Sequence, residues 1–228
     1  MSSNKVEFAV NMNGKNCVKA VERSLESPHI QIVNIDLEKN SVVVESSLPT
    51  IELLQKLEES GRKVVVKGLG GSAAGVALLE TGKPDVRGVI RFVQLQNSCI
   101  IDGTIDGLEA GNYQVSIHEN GDISRGCDSC GETFNPNGLE GKPYGDLGPI
   151  KAEMNGRSTF RFENKIVKLP ELIGRSLVIS QPSKNGEKRI SCGIIARSAG
   201  LFENPKTICA CSGTSIWDET EDPRKSSL

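Results

Sequence analysis

The chain has 228 residues, with 27 Lys and Arg against 29 Asp and Glu and a formal net charge of −2. That balance excludes the basic field that gathers nucleic acid or an anionic membrane, and the length admits one large domain or two small ones. A hydrophobic content of 37% with 24 glycines suits a soluble, turn-rich chain heavy in β-structure. Met1-Ser2-Ser3-Asn4-Lys5 lacks the apolar run of a signal peptide, and no apolar segment approaches membrane-spanning length. The expected location is the cytoplasm, with room for a minor mitochondrial intermembrane-space pool. Seven cysteines, an odd number with no secretory signal, point to reduced thiols, metal ligands or a special disulfide rather than a secreted framework.

Residues 1–68 read as a small α/β unit. Val6, Phe8 and Val10 alternate with Glu7, Ala9 and Asn11, the pattern of a half-buried strand. From Lys15 the period lengthens, Val18, Val21 and Leu25 share one helical face, and Pro28 stops the element. Ile30, Ile32 and Ile35 form a second strand and Val42-Val43-Val44 a third. Thr50 is placed to cap a helix burying Ile51, Leu54 and Leu57, with Gly61 beyond its end. Val64-Val65-Val66 completes a β-α-β-β-α-β order, the ferredoxin-like pattern. This unit resembles the heavy-metal-associated domain, whose motif is Met-x-Cys-x-x-Cys before the first helix. Here that loop reads Met12-Asn13-Gly14-Lys15-Asn16-Cys17, with Gly14 in the first cysteine's place. Copper(I) favours soft thiolates and needs a second donor beside Cys17. Two readings stay open: a weakened or partner-completed copper site at Cys17, or a half-buried cysteine in a domain kept for docking.

Leu69-Gly70-Gly71-Ser72 reads as a glycine-rich joint, so residues 69–73 are expected to link this unit to the next. Short strands are then expected at 76–80, 88–94, 99–105, 112–119, 158–163, 177–180 and 193–197. Asp102-Gly103, Asp106-Gly107 and Asn155-Gly156 read as turns between them. Many short strands at such spacing argue an antiparallel sandwich or barrel. Val115-Ser116-Ile117-His118-Glu119-Asn120-Gly121-Asp122 runs on through Gly126-Cys127 and Phe134-Asn135-Pro136. It is followed by Gly145-Asp146-Leu147-Gly148, Leu172-Ile173-Gly174-Arg175 and Cys192-Gly193-Ile194-Ile195. In this order the motifs resemble the Cu,Zn superoxide dismutase barrel over residues 74–198, which implies an eight-stranded Greek-key barrel.

The resemblance also exposes what is missing. Ser116, Thr133 and Ser180 stand where that family places copper-binding histidines, leaving His118 as the one matching copper ligand and Asp146 as the one matching zinc ligand. His118 is therefore read as a satisfied barrel residue, and zinc is not expected. Cys127 and Cys192 match the two halves of the family's intrasubunit disulfide, and Arg189 its guiding arginine. Cys127-Asp128-Ser129-Cys130 also has redox or zinc spacing, although no second pair completes a zinc site. Cys99 reads as a small core residue.

Residues 199–228 turn polar and loop-like, a short unstructured tail that holds Cys209-Ala210-Cys211 and, beyond it, Trp217. A Cys-x-Cys can turn two sulfurs toward one soft metal ion, and its disulfide closes a small, exchangeable ring. The three parts together, an α+β multidomain chain, resemble the copper chaperones for Cu,Zn superoxide dismutase. The resemblance implies a non-enzyme that carries copper(I) transiently on Cys209 and Cys211. It further implies docking on immature dismutase as a heterodimer through Gly121, Ile173, Gly174, Ile195, Ala196 and Arg197, and promotion of the target's disulfide by thiol exchange. A homodimer through the same face is compatible with it. The competing readings are a copper-buffering or interaction protein without delivery, and a divergent dismutase.

Overall fold

The computed structural model describes residues 2–136, 138, 141, 143–183, 186–205 and 217. These fall into two compact units: residues 2–72 with 198–205, and residues 73–197. No helix among the described residues is long and apolar enough to cross a membrane.

The first unit runs β1 (Asn4–Val10), α1 (Lys15–Ser24), β2 (Ile30–Asp36), β3 (Ser41–Ser46), α2 (Thr50–Glu58) and β4 (Val64–Leu69). The antiparallel sheet has the order β2-β3-β1-β4, the ferredoxin-like arrangement expected from the sequence. Details of the helices differ from expectation. In α1 the fully buried positions are Cys17 and Val21, with Leu25 just past the end, while Val18 is only half-buried. In α2 the N-cap is Pro49, and Thr50 begins the helix; Thr50, Leu53 and Leu57 face inward rather than Ile51 and Leu54. The three-to-four-residue period allows either stripe, and packing against the sheet selects between them.

β1 departs from the half-buried expectation more instructively. Of its seven residues only Lys5 is exposed; Glu7 and Ala9 are buried as fully as Val6, Phe8 and Val10. The second face is covered because residues 199–205 return to it as a strap. The Leu69 amide donates to Ala199 O (3.2 Å), and Leu69 and Gly200 form a parallel bridge. A Cβ at Gly68 would run into the Gly200 carbonyl, which is why glycine stands there. The joint is also tighter than its composition suggests. Leu69 ends β4, the Gly70 amide donates to Lys5 O (2.7 Å), and Ala73 opens the next strand.

The second unit holds β5 (Ala73–Leu79), β6 (Thr81–Gly82), β7 (Arg87–Gln94), β8 (Cys99–Asp106), β9 (Gly111–His118), β10 (Ser124–Cys127), β11 (Asp146–Ala152) and β12 (Ser158–Asn164). After α3 (Leu169–Leu172) come β13 (Ser176–Ser183) and β14 (Gly186–Arg197). Eight strands form one antiparallel path, β11-β9-β13-β14-β5-β7-β8-β12, and the short β6 pairs with β14. The inward faces build one core, including Ile90, Phe92, Ile101, Ile117, Leu177, Ile179 and Ile195.

Three strand readings are corrected. Asp102-Gly103 is no turn but the middle of β8, where Gly103 pairs with Phe160 and leaves room for the Phe160 ring, which a Cβ would strike. β11 escapes notice in the sequence because Pro149 and the positive-φ Gly148 sit in it; as the end strand, with a register shift, it tolerates both. β14 begins at Gly186, not near 193, its first half being a polar run.

Candidate functional site

Several of the motifs singled out in the sequence meet in the barrel. Main-chain bonds stitch them together: the Phe134 amide donates to Ile117 O (2.8 Å), the Gly145 amide to Phe134 O (2.7 Å), and the Ile117 amide to Gly145 O (2.8 Å). A side chain at Gly145 would strike the Ile117 carbonyl, so that position must be glycine.

Around this stitch lie the positions that metal-ligating histidines would hold. His118 is 1% exposed. Its Nδ1 donates to Gly131 O (2.9 Å), which leaves Nε2 to accept from the Ser116 hydroxyl (3.0 Å). Both imidazole nitrogens are thus in use. Burial pushes the His118 pKa below its usual value, with the Gly131 carbonyl pulling the other way and Arg189 adding to the depression. Thr133 bridges to His118 through the main chain. The Ser180 hydroxyl donates to the Glu187 carboxylate, and the Gln114 amide donates to Asp146. Among the described residues no group of three His, Cys, Asp or Glu side chains is arranged to hold a metal ion.

The loop after β9 is held from two sides. Cys127 is disulfide-bonded to Cys192, their Cα atoms 5.7 Å apart. Arg189, three residues before Cys192, donates Nη1 to Cys127 O (2.7 Å) and Nη2 to Gly131 O (2.6 Å). The arginine is a loop clamp here. Inside the loop, the Ser129 hydroxyl lies against Asp122 O (3.0 Å) and Gly126 O (3.1 Å).

The expected docking residues lie close together, with one correction. A Cβ at Gly121 would collide with the Gly174 carbonyl, so the two glycines mark a close backbone approach. Gly174 also needs its φ of +84°. Its amide donates to Ile195 O (2.9 Å), and the Ile195 amide to Arg175 O (2.8 Å). Strand alternation turns Ile195 into the core at 0% exposure, however, and presents Ile194 (38%) and Ala196 outward, with Arg197 exposed at the end of β14. Ile195 therefore offers only its backbone, and Ile194 takes its place on the surface. Arg175, not singled out beyond its motif, holds the face together. It donates to Glu119 O and to Glu171 O (both 2.8 Å), and its guanidinium sits 3.5 Å from the centre of the Phe134 ring.

In the first unit, Cys17 is 7% exposed at the start of α1, and its amide donates to Gly14 O (2.9 Å). Gly14 has extended backbone, and a Cβ there would meet nothing within 4 Å. Cys209 and Cys211 lie outside the described residues.

Comparison with known proteins agrees with this two-unit organisation. The heavy-metal-associated domain family matches residues 7–63, and the copper/zinc superoxide dismutase family matches residues 86–195. The chain is 45% identical to the copper chaperone for superoxide dismutase of Mus musculus over 96% of its own length and 89% of the mouse chain. The Homo sapiens protein of the same name is 43% identical over the same shares. The superoxide dismutase 1 copper chaperone of Saccharomyces cerevisiae is 36% identical over 94% of this chain and 93% of its own. This chain belongs to the copper chaperones for superoxide dismutase. Within that family it is a binding and delivery protein and not a dismutase, which accords with hydroxyls at three of the positions that a redox copper would need as imidazoles.

Proposed function

We propose that this chain docks on immature Cu,Zn superoxide dismutase as a heterodimer, hands it copper(I) from Cys209 and Cys211, and promotes its intrasubunit disulfide. The observation that carries the reading is a dismutase-like barrel whose ligand positions are tied up in hydrogen bonds while the Gly121–Gly174–Ile194 face remains exposed. A face shaped like one half of an isologous pair accepts a near-copy of itself. For the same reason a homodimer competes for it.

Copper transfer is ligand exchange: the two thiolates of Cys209 and Cys211 give up the ion to the target's imidazoles with no change in its charge. Disulfide formation by exchange is a separate step on a copper-free tail: the Cys209–Cys211 disulfide, formed beforehand with oxygen as the oxidant, is reduced to two thiols as the target's two thiols are oxidised.

The test mixes, in the presence of oxygen, copper(I) and a copper-free, disulfide-reduced dismutase with the full chain or its variants. Dismutase activity and the target's disulfide state are measured. Cys209→Ser or Cys211→Ser should abolish both gains, while Cys17→Ser costs less. Full activation by the doubly substituted tail, with loss on Cys17→Ser alone, would reverse the roles.

A further inference from the structure

Cys130 is the third member of an apolar cluster formed by Cys127, Cys130, Val178 and Cys192, with Ile123 packed against it. It is 0% exposed and free, although it lies beside a disulfide. The local backbone explains its placement. Asp128–Cys130 is one turn of 3-10 helix with Cys127 as its N-cap in helical conformation. At three residues per turn, side chains i and i+3 eclipse, so Cys127 and Cys130 project from the same side. That spacing also falls in the Cα–Cα range a disulfide spans. Three sulfurs therefore share one buried apolar cluster, in which Cys127 can pair with either of the other two.

We propose that Cys127, Cys130 and Cys192 form a thiol–disulfide exchange site in which Cys130 displaces Cys192 from Cys127. The Cys130 sulfur, giving up its proton, attacks the Cys127 sulfur; the Cys127–Cys130 bond forms and the Cys127–Cys192 bond breaks. Cys192 leaves with the electron pair and takes a proton. One disulfide and one thiol stand on each side, so no oxidant or reductant enters. Confinement in one pocket supplies the high effective concentration that an intramolecular attack needs.

The swap has a mechanical consequence. The Cys127–Cys192 bond joins positions 65 residues apart and ties the loop to β14. The Cys127–Cys130 bond closes only a local turn and leaves the two Arg189 hydrogen bonds to tie the loop to β14. The same loop carries Gly121, which packs on Gly174. The exchange is thus a latch beneath the docking face, and this last step alone rests on the function proposed above.

The experiment uses the full chain carrying Cys209→Ser and Cys211→Ser, so that no tail thiol can be the attacker. After incubation at pH 8 the protein is quenched in acid, alkylated and cut before Asp128, which separates Cys127 from Cys130, and linked peptides are identified by mass spectrometry. The expected result is a Cys127–Cys130 species at about 1–10% of the total, as for a minor state a few kcal/mol above the main one, with Cys192 alkylated to the same extent. In the same background, Cys192→Ser incubated with an added disulfide oxidant (oxidised glutathione) should convert fully to Cys127–Cys130, the oxidant being reduced to two thiols. Alkylation of Cys130 alone, with only Cys127–Cys192 linked at pH 8 and pH 9, would overturn the proposal. A Cys127–Cys130 bond found only in the Cys192→Ser protein would overturn it equally, because it would show pairing without displacement. Neither readout involves copper or a target, so failure here is separable from failure of the delivery reading.

Discussion

The two units are both built on metal-binding folds, and each lacks ligands in a different way. In the first unit the missing ligand leaves open space: Gly14 is extended, and a Cβ there would touch nothing. In the barrel the missing ligands have been replaced by groups that bond to one another. Ser116 occupies His118, Ser180 holds Glu187, and Gln114 holds Asp146. A loop on the surface can lose a ligand without consequence for packing. A buried site cannot, because each polar group left without a partner there costs roughly 1–3 kcal/mol. The first loss is one substitution from reversal; the second is built into the stability of the barrel.

The sharpest break in this comparison is at the docking face, which belongs to the barrel alone. Gly174→Glu should abolish co-elution with a dismutase, because it puts a charge on the face and a side chain at φ +84°. The backbone strain itself is worth only about 1–2 kcal/mol, so the barrel should still melt cooperatively. Cys17→Ser should leave co-elution unchanged. Normal association of the Gly174→Glu protein would move docking elsewhere.

Reversibility is tested next. Gly14→Cys should raise the copper(I) bound per full chain by about one ion, since it supplies a second thiolate to Cys17. Equilibrium dialysis against a competing copper(I) chelator reads this directly. Ser116→His should gain no copper, and it should lower the melting temperature, since a larger side chain must fit at a 3%-exposed position beside His118. Equal copper gains in both proteins would erase the distinction between the two sites.

A smaller effect separates the strap from the barrel. Glu7, 1% exposed, accepts from Ser41 Oγ (3.0 Å) and the Phe202 amide (2.6 Å) and pairs with Lys67 Nζ (3.3 Å). Glu7→Gln should cost the first unit about 1–3 kcal/mol and speed hydrogen exchange at the Leu69 amide, which donates to the strap. Barrel amides should exchange as before. Unchanged exchange at Leu69 would mean that the strap is held without the carboxylate.

The mildest effect is the pH response of the barrel. Burial lowers the His118 pKa in the folded protein from 6.5, so the unfolded chain takes up a proton first as pH falls. His118 therefore costs nothing above about pH 6.5 and destabilises the barrel progressively below it, down to its depressed folded value. His118→Asn should flatten the melting temperature between pH 7 and 5 relative to the unsubstituted chain. An identical slope in both proteins would assign the acid sensitivity to other groups.

The sequence showed the order of elements in both units, because hydrophobic period and turn residues act over a few neighbours. It also showed which ligands were absent, since the identity of a residue in a motif needs no structure to read. Its misreadings have a common cause. Asp102-Gly103 resembles a turn until Phe160 from another strand is laid over it. Ile195 and Ile194 are chemically alike, and only the register of β14 against its neighbours decides that Ile194 faces out. Nothing local to Glu7 announces that residue 202 will cover it, or that Arg175 will reach Glu119 across 56 positions of chain. Cys130 reads as half of a Cys-x-x-Cys, and its place beside Cys192 follows from a bond to a strand 65 residues beyond Cys127. What the sequence determined by itself was set by near neighbours: two folds, the lost ligands, a tail with two thiols. Burial and partnership of the working side chains were decided by tertiary structure, because those depend on groups that the chain brings together only once both faces of each sheet are covered.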